Sequence, residues 1–236
     1  MARMGSAREL AGKSSNQSLD EGEVSILYLG YSGVVVRTKS HAFAFDPADL
    51  VSGDAIAQLG KLDAVFYGHG HGDHFSKEHA ALLSSKTGAY VAAEESLVPS
   101  LKSAIPSERL VPAKPGERKE LKGFSVTPIA GIHRGPIVLF IVEAGGISIF
   151  HGGDSAYVPL GSFRADLALV PTGSPSPTAS PRDAFRMVSD LKPKAAAAFH
   201  GSASQHREFL SLVKENLSQV NAFPLEEGRT VKVSVK

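Results

Sequence analysis

Cysteine is absent from this chain, and no apolar run approaches the roughly 20 residues that a membrane-spanning helix requires. Without thiols the protein forms neither disulfides nor cysteine metal sites, so any metal must be held by histidine and carboxylate side chains. An excess of charge of one sign is also missing, because 25 basic residues face 24 acidic ones and the net charge is +1. We therefore expect neither a nucleic acid nor a membrane as a partner.

The first 22 residues are rich in serine, glycine and charge, and they lack the apolar segment of a secretory signal. We predict a disordered tail over residues 1–22 and a cytoplasmic location. The chain is 42% hydrophobic, and residues 23–236 show no internal linker. This length and composition suit one core, so a single domain over 23–236 is expected.

A dense histidine cluster is present, Gly68-His69-Gly70-His71-Gly72-Asp73-His74. An apolar run of strand length, residues 62–67, precedes it, and Ser76 follows as a helix N-cap residue. Glycines let the backbone bend at such a strand-to-helix turn, so the side chains can converge. Imidazole and carboxylate suit zinc, manganese or iron, and four donors in one turn favour two metal ions.

Further ligands are expected where three later strands end. Each candidate follows a predicted strand at its C-terminal end: His133, Asp154 and His200. Strand ends that gather at one edge of a sheet are where open sheets bind ligands. A carboxylate such as Asp154 can bridge two cations through its two oxygens, whereas a single histidine cannot.

The order of predicted elements is similar in the two halves of the chain. Short antiparallel strands come first in each half, and alternating helices and strands follow. This pattern predicts two sheets packed face to face with helices outside. Within it, residues 94–103 are predicted to form one helix, and the proline- and glycine-rich segment 112–116 a turn.

These residues, in this order, resemble the metallo-β-lactamase superfamily over about residues 24–235. The resemblance implies an α/β fold, the four-layer αβ/βα sandwich, with two mixed sheets face to face, helices outside and a dinuclear metal site at one edge. The chain is most similar to the small single-domain, ascorbate-phosphate lactonase-like branch, with which it shares Lys192-Pro193-Lys194 before the last candidate histidine. It departs from that branch at Tyr31, where a histidine is usual.

The resemblance also implies a role for each ligand. One metal ion would be held by His69, His71 and His133, the other by Asp73, His74 and His200, with Asp154 bridging them. Asp46 would accept a hydrogen bond from a ligand imidazole and orient it. Two divalent transition-metal ions, zinc first and manganese or iron as alternatives, would supply hydroxide at neutral pH for attack on carbon or phosphorus. Asp73 would also accept the proton of this nucleophile.

Several features of other branches of the superfamily are missing from this sequence, and this limits the activities that we expect. The bridging Asp154 and the lack of cysteine argue against a true zinc β-lactamase, and the short segment after His206 leaves no space for the helical domain of glyoxalase-II-like thioesterases. The basic insertion of the tRNA-processing nucleases is missing, and His71 stands where flavodiiron proteins have glutamate. The sequence favours a hydrolase that cleaves a lactone, ester or phosphoester bond in a small anionic substrate.

Three alternatives stay open: a phosphodiesterase or nuclease, a β-lactamase-like activity, and a non-enzymatic metal-dependent binding or regulatory module. A complete ligand set favours an enzyme. Arg134, His206 and the loop 172–180 are candidate contacts for the substrate, a small molecule. His151 is interpreted as a core or supporting histidine, and a homo-oligomer is also left open.

Overall fold

The computed structural model of the protein describes residues 18–173 and 178–236. Most of the predicted tail and part of the loop 172–180 lie outside the described residues. The chain divides into two compact units, one running through Ala113 and including Glu226–Lys232, the other comprising Lys114–Leu225 and Val233–Lys236. The single domain over 23–236 stays a prediction.

The first unit is built on a mixed seven-stranded sheet. The strands of this sheet are β1 (Glu23–Gly30), β2 (Gly33–Arg37), β3 (Ala42–Phe45), β4 (Ala64–Tyr67), β5 (Tyr90–Glu94), β6 (Leu110–Ala113) and β14 (Thr230–Ser234), of which residues 230–232 belong to the first unit. Their order is β14-β1-β2-β3-β4-β5-β6, antiparallel from β1 to β3 and parallel from β3 to β6. Because β1 and β3 both run opposite to β2, the carboxyl ends of β1, β3 and β4 lie at the same edge.

Helices of the first unit follow its parallel strands. They are α1 (Gly53–Leu59), α2 (Lys77–Thr87) and, after a 3₁₀ turn at Glu95–Leu97, the short α3 (Val98–Leu101). The Ser52 and Ser76 side chains cap the first two by accepting N–H bonds. The single helix predicted over 94–103 is partly wrong: Glu94 belongs to β5, and the helical residues divide into the 3₁₀ turn and α3, where Pro99 lacks the N–H that would continue the preceding turn.

The second unit repeats this plan with another mixed seven-stranded sheet. Its strands are β7 (Lys119–Leu121), β8 (Phe124–Ala130), β9 (Val138–Ala144), β10 (Ile147–His151), β11 (Leu167–Pro171), β12 (Ala195–Phe199) and β13 (Asn221–Ala222). The order is sequential, antiparallel from β7 to β10 and parallel from β10 to β13. Since β8 and β10 both run opposite to β9, the carboxyl ends of β8, β10, β11 and β12 share one edge.

Two helices cover a face of the second sheet, α4 (Pro181–Leu191) and α5 (Ala203–Asn216). Each begins with a capping box, in which a serine side chain and the residue three positions later bond each other's backbone N–H groups. Met187, Val188, Phe209 and Val213 are fully buried in the core beneath them. This packing stabilises the strands whose ends carry the candidate ligands.

The turn predicted over 112–116 is partly wrong, because Pro112 lies within β6. Strand β6 forms the edge of its sheet, where a residue without an N–H is tolerated. The turn itself begins at Lys114, whose carbonyl accepts from the Glu117 N–H. Among the described residues, no helix has the length and apolar character needed to cross a membrane.

Candidate metal centre

In the first unit, Asp46 connects the two ends of the histidine cluster. It directly follows β3 in the left-handed region, at a φ of +39°, a conformation that aspartate tolerates better than most residues. Its Oδ1 accepts from the Gly68 N–H at 2.8 Å, and its Oδ2 lies 3.1 Å from His74 Nδ1. A single buried carboxylate therefore fixes both the start of the turn and the orientation of His74. The role of Asp46 as the support of a metal ligand stays a prediction.

The imidazoles of the cluster converge. The His69 ring lies 4.1 Å from the His74 ring and 4.7 Å from the His71 ring, between centroids. His69 and His74 are buried, whereas His71 is exposed. Ligand atoms of Asp46, His69 and His74 all lie within 4.8 Å of one another. The turn thus concentrates donors of the type that transition metals prefer.

Asp73 faces the Nε2 side of the His74 ring. Because Asp46 occupies Nδ1 of His74, the Nε2 atom points away from Asp46 and lies 3.5 Å from Asp73 Oδ2. Two ligands of one tetrahedral zinc ion, with bonds of about 2.0–2.1 Å, lie roughly 3.3 Å apart. The spacing therefore fits two ligands of one cation.

The electrostatic environment of His74 also favours positive charge. Burial lowers the pKa of His74, but hydrogen bonds and charge from the Asp46 and Asp73 carboxylates outweigh burial and raise that pKa to about 9. A histidine held between two carboxylates marks a place where a cation is stabilised. A bound metal ion would occupy the same field.

In the second unit, the buried Asp154 carboxylate faces two histidines with different oxygens. Its Oδ2 lies 3.4 Å from His133 Nε2, and its Oδ1 lies 3.8 Å from His200 Nε2. The three residues follow β8, β10 and β12, whose ends share one edge of the sheet. Each distance again fits a pair of ligands on one cation, and the arrangement is that of a carboxylate able to bridge two.

Thr178 holds this carboxylate in place, and sequence reasoning missed its role. Its hydroxyl donates a hydrogen bond to Asp154 Oδ1, and both side chains are buried. The loop 172–180 was predicted to contact a substrate, yet this hydroxyl is committed to a candidate ligand. The remaining residues of that loop include four outside the described ranges. No signal in the sequence links two residues separated by 24 positions.

Ser155 anchors the segment that leads to His133, and it too escaped the sequence analysis. Its Oγ accepts from the Ile132 N–H at 2.9 Å, and the neighbouring Ala156 N–H donates to the Ile132 carbonyl at 2.8 Å. The chain after β8 is thereby bonded to the chain after β10. His133 and Asp154 are brought together by these backbone contacts as well as by the sheet.

His200 is seated on neighbouring backbone in a strained conformation. It has a φ of +49°, and its carbonyl accepts from the Thr172 hydroxyl at 2.8 Å. Gly173 passes so close that a Cβ there would lie 2.4 Å from His200 Nδ1. His206, a candidate substrate contact, has its Nε2 3.2 Å from the same carbonyl, and Arg134 is exposed to solvent. Substrate contacts by both stay predictions.

The geometry of His151 agrees with its interpretation as a core histidine. The ring is buried and stacks on Phe199 at 4.7 Å between centroids. Its Nδ1 accepts from the Gly153 N–H at 3.3 Å. His151 therefore supports the backbone just before Asp154.

Sheets of this topology, with histidine and aspartate donors at their strand ends, define a metal-binding α/β protein. Residues 33–201 match the family described as the beta-lactamase superfamily domain, and that range contains Asp46 and every predicted ligand. A UPF0173 metal-dependent hydrolase from Thermus thermophilus is 30% identical over 194 residues, covering 75% of this chain and 83% of the relative. The chain belongs to the β-lactamase superfamily.

Solved structures share the fold. Igni18, a metallo hydrolase from Ignicoccus hospitalis, superimposes with a TM-score of 0.75 at 20% identity, over 91% of this chain and all of its own. YhfI from Bacillus subtilis, a metallo-beta-lactamase fold protein, gives a TM-score of 0.69 at 13% identity, over 90% of this chain and all of its own. The predicted αβ/βα sandwich class and the predicted class of protein, a metal-dependent hydrolase of this superfamily, are confirmed.

Proposed function

We propose that this hydrolase uses two divalent transition-metal ions, zinc first and manganese or iron as alternatives, to cleave a lactone, ester or phosphoester bond. The observation that carries the proposal is the Asp154 carboxylate, whose two oxygens face the Nε2 atoms of His133 and His200 separately. A carboxylate arranged in this way suits a bridge between two ions.

The ligand assignment follows the family resemblance. It implies that His69, His71 and His133 would hold one ion, that Asp73, His74 and His200 would hold the other, and that Asp154 would be shared by the two. The spacing of 3.5 Å between His74 Nε2 and Asp73 Oδ2 supports placing those two on the same ion. The chemistry of the donors, imidazole and carboxylate without thiolate, fits zinc, manganese and iron.

When bound, the two ions supply a nucleophile from water at neutral pH and polarise the oxygen of the scissile bond. The side chains of the protein do the remaining tasks. Asp46 keeps His74 in one orientation, and Thr178 keeps Asp154 in one orientation. Asp73, with 39% of its side chain exposed, is reachable from solvent and accepts the proton that the nucleophile loses.

The substrate in this proposal is a small anionic molecule, and a complete set of donors favours an enzyme over a metal-dependent binding module. The name of the Thermus relative, a metal-dependent hydrolase, supports the reaction class. The cytoplasmic location and a homo-oligomer stay predictions. Fractionation of cells and light scattering of the purified protein would test them.

Removal and replacement of metal tests the proposal. Purified protein is stripped with a chelator, reloaded with zinc, manganese or ferrous iron, and assayed on lactones, phosphodiesters, thioesters and β-lactams while bound metal is quantified. We expect about two equivalents per chain and no hydrolysis without metal. Full hydrolysis at one equivalent would overturn the dinuclear mechanism, and hydrolysis by the stripped protein would overturn metal dependence.

The Asp73→Asn substitution tests the proton acceptor. Asparagine keeps the shape and one oxygen but cannot accept a proton, so we expect the rate to fall about a hundredfold while the thermal unfolding midpoint stays near that of the original protein. Steady-state rates and calorimetry measure the two effects. An unchanged rate with any cleaved substrate would remove Asp73 from the mechanism.

A further inference from the structure

Large apolar side chains are exposed at two positions in the described part of the chain, Ile132 at 56% and Tyr31 at 48%. A single exposed apolar residue is ordinary in a soluble protein. Each of these two residues lies at the edge of its own sheet where the candidate ligands of that unit are. Tyr31 sits in the turn between β1 and β2, at the edge where β3 ends with Asp46, and Ile132 immediately precedes His133.

The backbone around Ile132 is fixed on both sides. Its N–H donates to Ser155 Oγ at 2.9 Å, and its carbonyl accepts from the Ala156 N–H at 2.8 Å. One residue earlier, the Gly131 N–H donates to the Ile137 carbonyl at 3.2 Å. A rotation that turned the Ile132 side chain inward would break these bonds. The exposure of the side chain is therefore built into the loop.

The space beneath the loop is already filled. A Cβ at Gly131 would lie 2.5 Å from Leu139 Cδ1 and 2.8 Å from Ile137 Cγ2, closer than van der Waals contact allows. The core has no room for another aliphatic side chain at this point. Ile132 consequently presents its apolar surface outward from a rigid support.

Arg134 is the other exposed neighbour of His133. The His133 side chain is only 2% exposed and points to Asp154, while the Arg134 side chain is in solvent. Within residues 18–173 and 178–236, Arg134 makes no hydrogen bond or ion pair. A guanidinium left available beside a catalytic centre suits a carboxylate or phosphate, which it can bind through two parallel hydrogen bonds.

We propose that Ile132 and Arg134 select the substrate, with Ile132 contacting an aliphatic group and Arg134 binding an anionic group. The substrate class is an ester or lactone that carries both an aliphatic chain and a carboxylate or phosphate. This inference rests on the proposed hydrolysis. A loop held rigid before the substrate arrives loses little entropy on binding, so two modest contacts suffice for selection.

Four p-nitrophenyl esters distinguish the contribution of Ile132 from that of Arg134. Acetate and hexanoate differ in chain length without charge, and the monoesters of succinate and suberate differ in chain length with a terminal carboxylate. The zinc-loaded protein is expected to have its highest kcat/KM on the suberate ester. In Ile132→Ser the preference for long over short chains falls about tenfold, and Ile132→Val retains most of it. In Arg134→Gln the preference for anionic over neutral esters falls about tenfold.

Arg182→Gln is the matched control, since Arg182 is an exposed arginine of the same unit on α4. It should leave both preferences unchanged. Calorimetric binding of suberate, hexanoate and acetate to each zinc-loaded variant supplies a measurement that needs no turnover. We expect suberate to bind most tightly and each of the two substitutions to weaken it about tenfold.

The outcomes distinguish this inference from the proposed function. Hydrolysis of the esters with unchanged preferences in both variants would overturn the selection by Ile132 and Arg134 and leave the hydrolase standing. Absence of ester hydrolysis, together with selective suberate binding that both substitutions weaken, would overturn hydrolysis of these bonds and support the selection. Equal binding of the three acids would overturn the selection directly.

Discussion

The two units have the same sheet plan but assemble their candidate ligands differently. The first unit places four donors in one turn, His69–His74, with Asp46 at the adjacent strand end. The second collects three donors from three strand ends that are far apart along the chain, His133, Asp154 and His200. A ligand group that forms within one turn is visible as a motif. A group that forms by strand pairing depends on supporting residues that carry no motif.

The supporting residues of the second unit show this dependence. Thr178 bonds Asp154, Ser155 bonds the segment before His133, and Gly173 leaves space for His200. In the first unit one side chain, that of Asp46, bonds both Gly68 and His74. The contrast predicts which substitutions matter in each unit.

The largest effect is expected for Asp154→Ala. This substitution removes the carboxylate shared by His133 and His200, so we expect the loss of at least one metal equivalent and roughly a thousandfold decrease in hydrolysis. Metal analysis and steady-state rates measure both.

Asp166→Asn is the control for that experiment. Asp166 lies at the amino end of β11, on the opposite edge of the same sheet, where its carboxylate accepts from Ser148 at 2.8 Å. Metal content should be unchanged in this variant. Two retained equivalents in Asp154→Ala would show that the second unit does not bridge the ions.

A glycine substitution should lower the rate more in the second unit than in the first, although the glycine-rich histidine cluster is in the first. A Cβ at Gly173, outside any motif, would lie 2.4 Å from His200 Nδ1, whereas a Cβ at Gly72, inside the histidine cluster, meets nothing within 4 Å. We expect Gly173→Ala to displace the imidazole and lower the rate about a hundredfold. Gly72→Ala should retain most of the rate. Equal effects in rate assays would mean that His200 is not a ligand or that Gly72 has a role of its own.

The supports themselves can be compared through metal affinity. Asp46→Asn keeps the side-chain shape and tolerates the left-handed backbone but removes the charge beside His74, so metal affinity should fall about 10–100-fold. Thr178→Val removes one hydrogen bond to Asp154 and should lower metal affinity about tenfold. Thr178→Ser keeps the hydroxyl and should retain that affinity. Competition with a chromogenic chelator gives the dissociation constants. A larger loss of metal affinity in Thr178→Val than in Asp46→Asn would contradict this expectation.

The smallest effect concerns the helices beside the sites. Ser180 closes a capping box with Asp183 at the start of α4, whereas Ser76 caps α2 through its side chain alone. Ser180→Ala should lower the free energy of unfolding by about 1.5 kcal/mol and Ser76→Ala by about 1 kcal/mol. Urea denaturation measures both, with Ser180→Thr as the variant that retains a cap. Equal losses would mean that the reciprocal bond from Asp183 adds nothing.

Prediction from the sequence succeeded where local chemistry decides the structure. Apolar runs that end shortly before His133, Asp154 and His200 mark strand ends, and the alternating glycines mark the turn that carries His69–His74. Prediction failed where residues distant in sequence but close in space determine the structure. Pro112 belongs to a strand because that strand is at a sheet edge, and Thr178 matters because loop closure places it beside Asp154. Neither fact can be read from a short stretch of the sequence.

Strand β14 has a consequence for aggregation. It comes from residues 230–234, yet it pairs with β1, and the preceding turn bonds Tyr28 through Arg229 and Gly228. A chain without this strand would keep every candidate ligand but leave the backbone N–H and C=O groups of β1 unpaired along one side. Such an open edge recruits strands from other molecules. Truncation there should therefore cause self-association before it causes loss of metal.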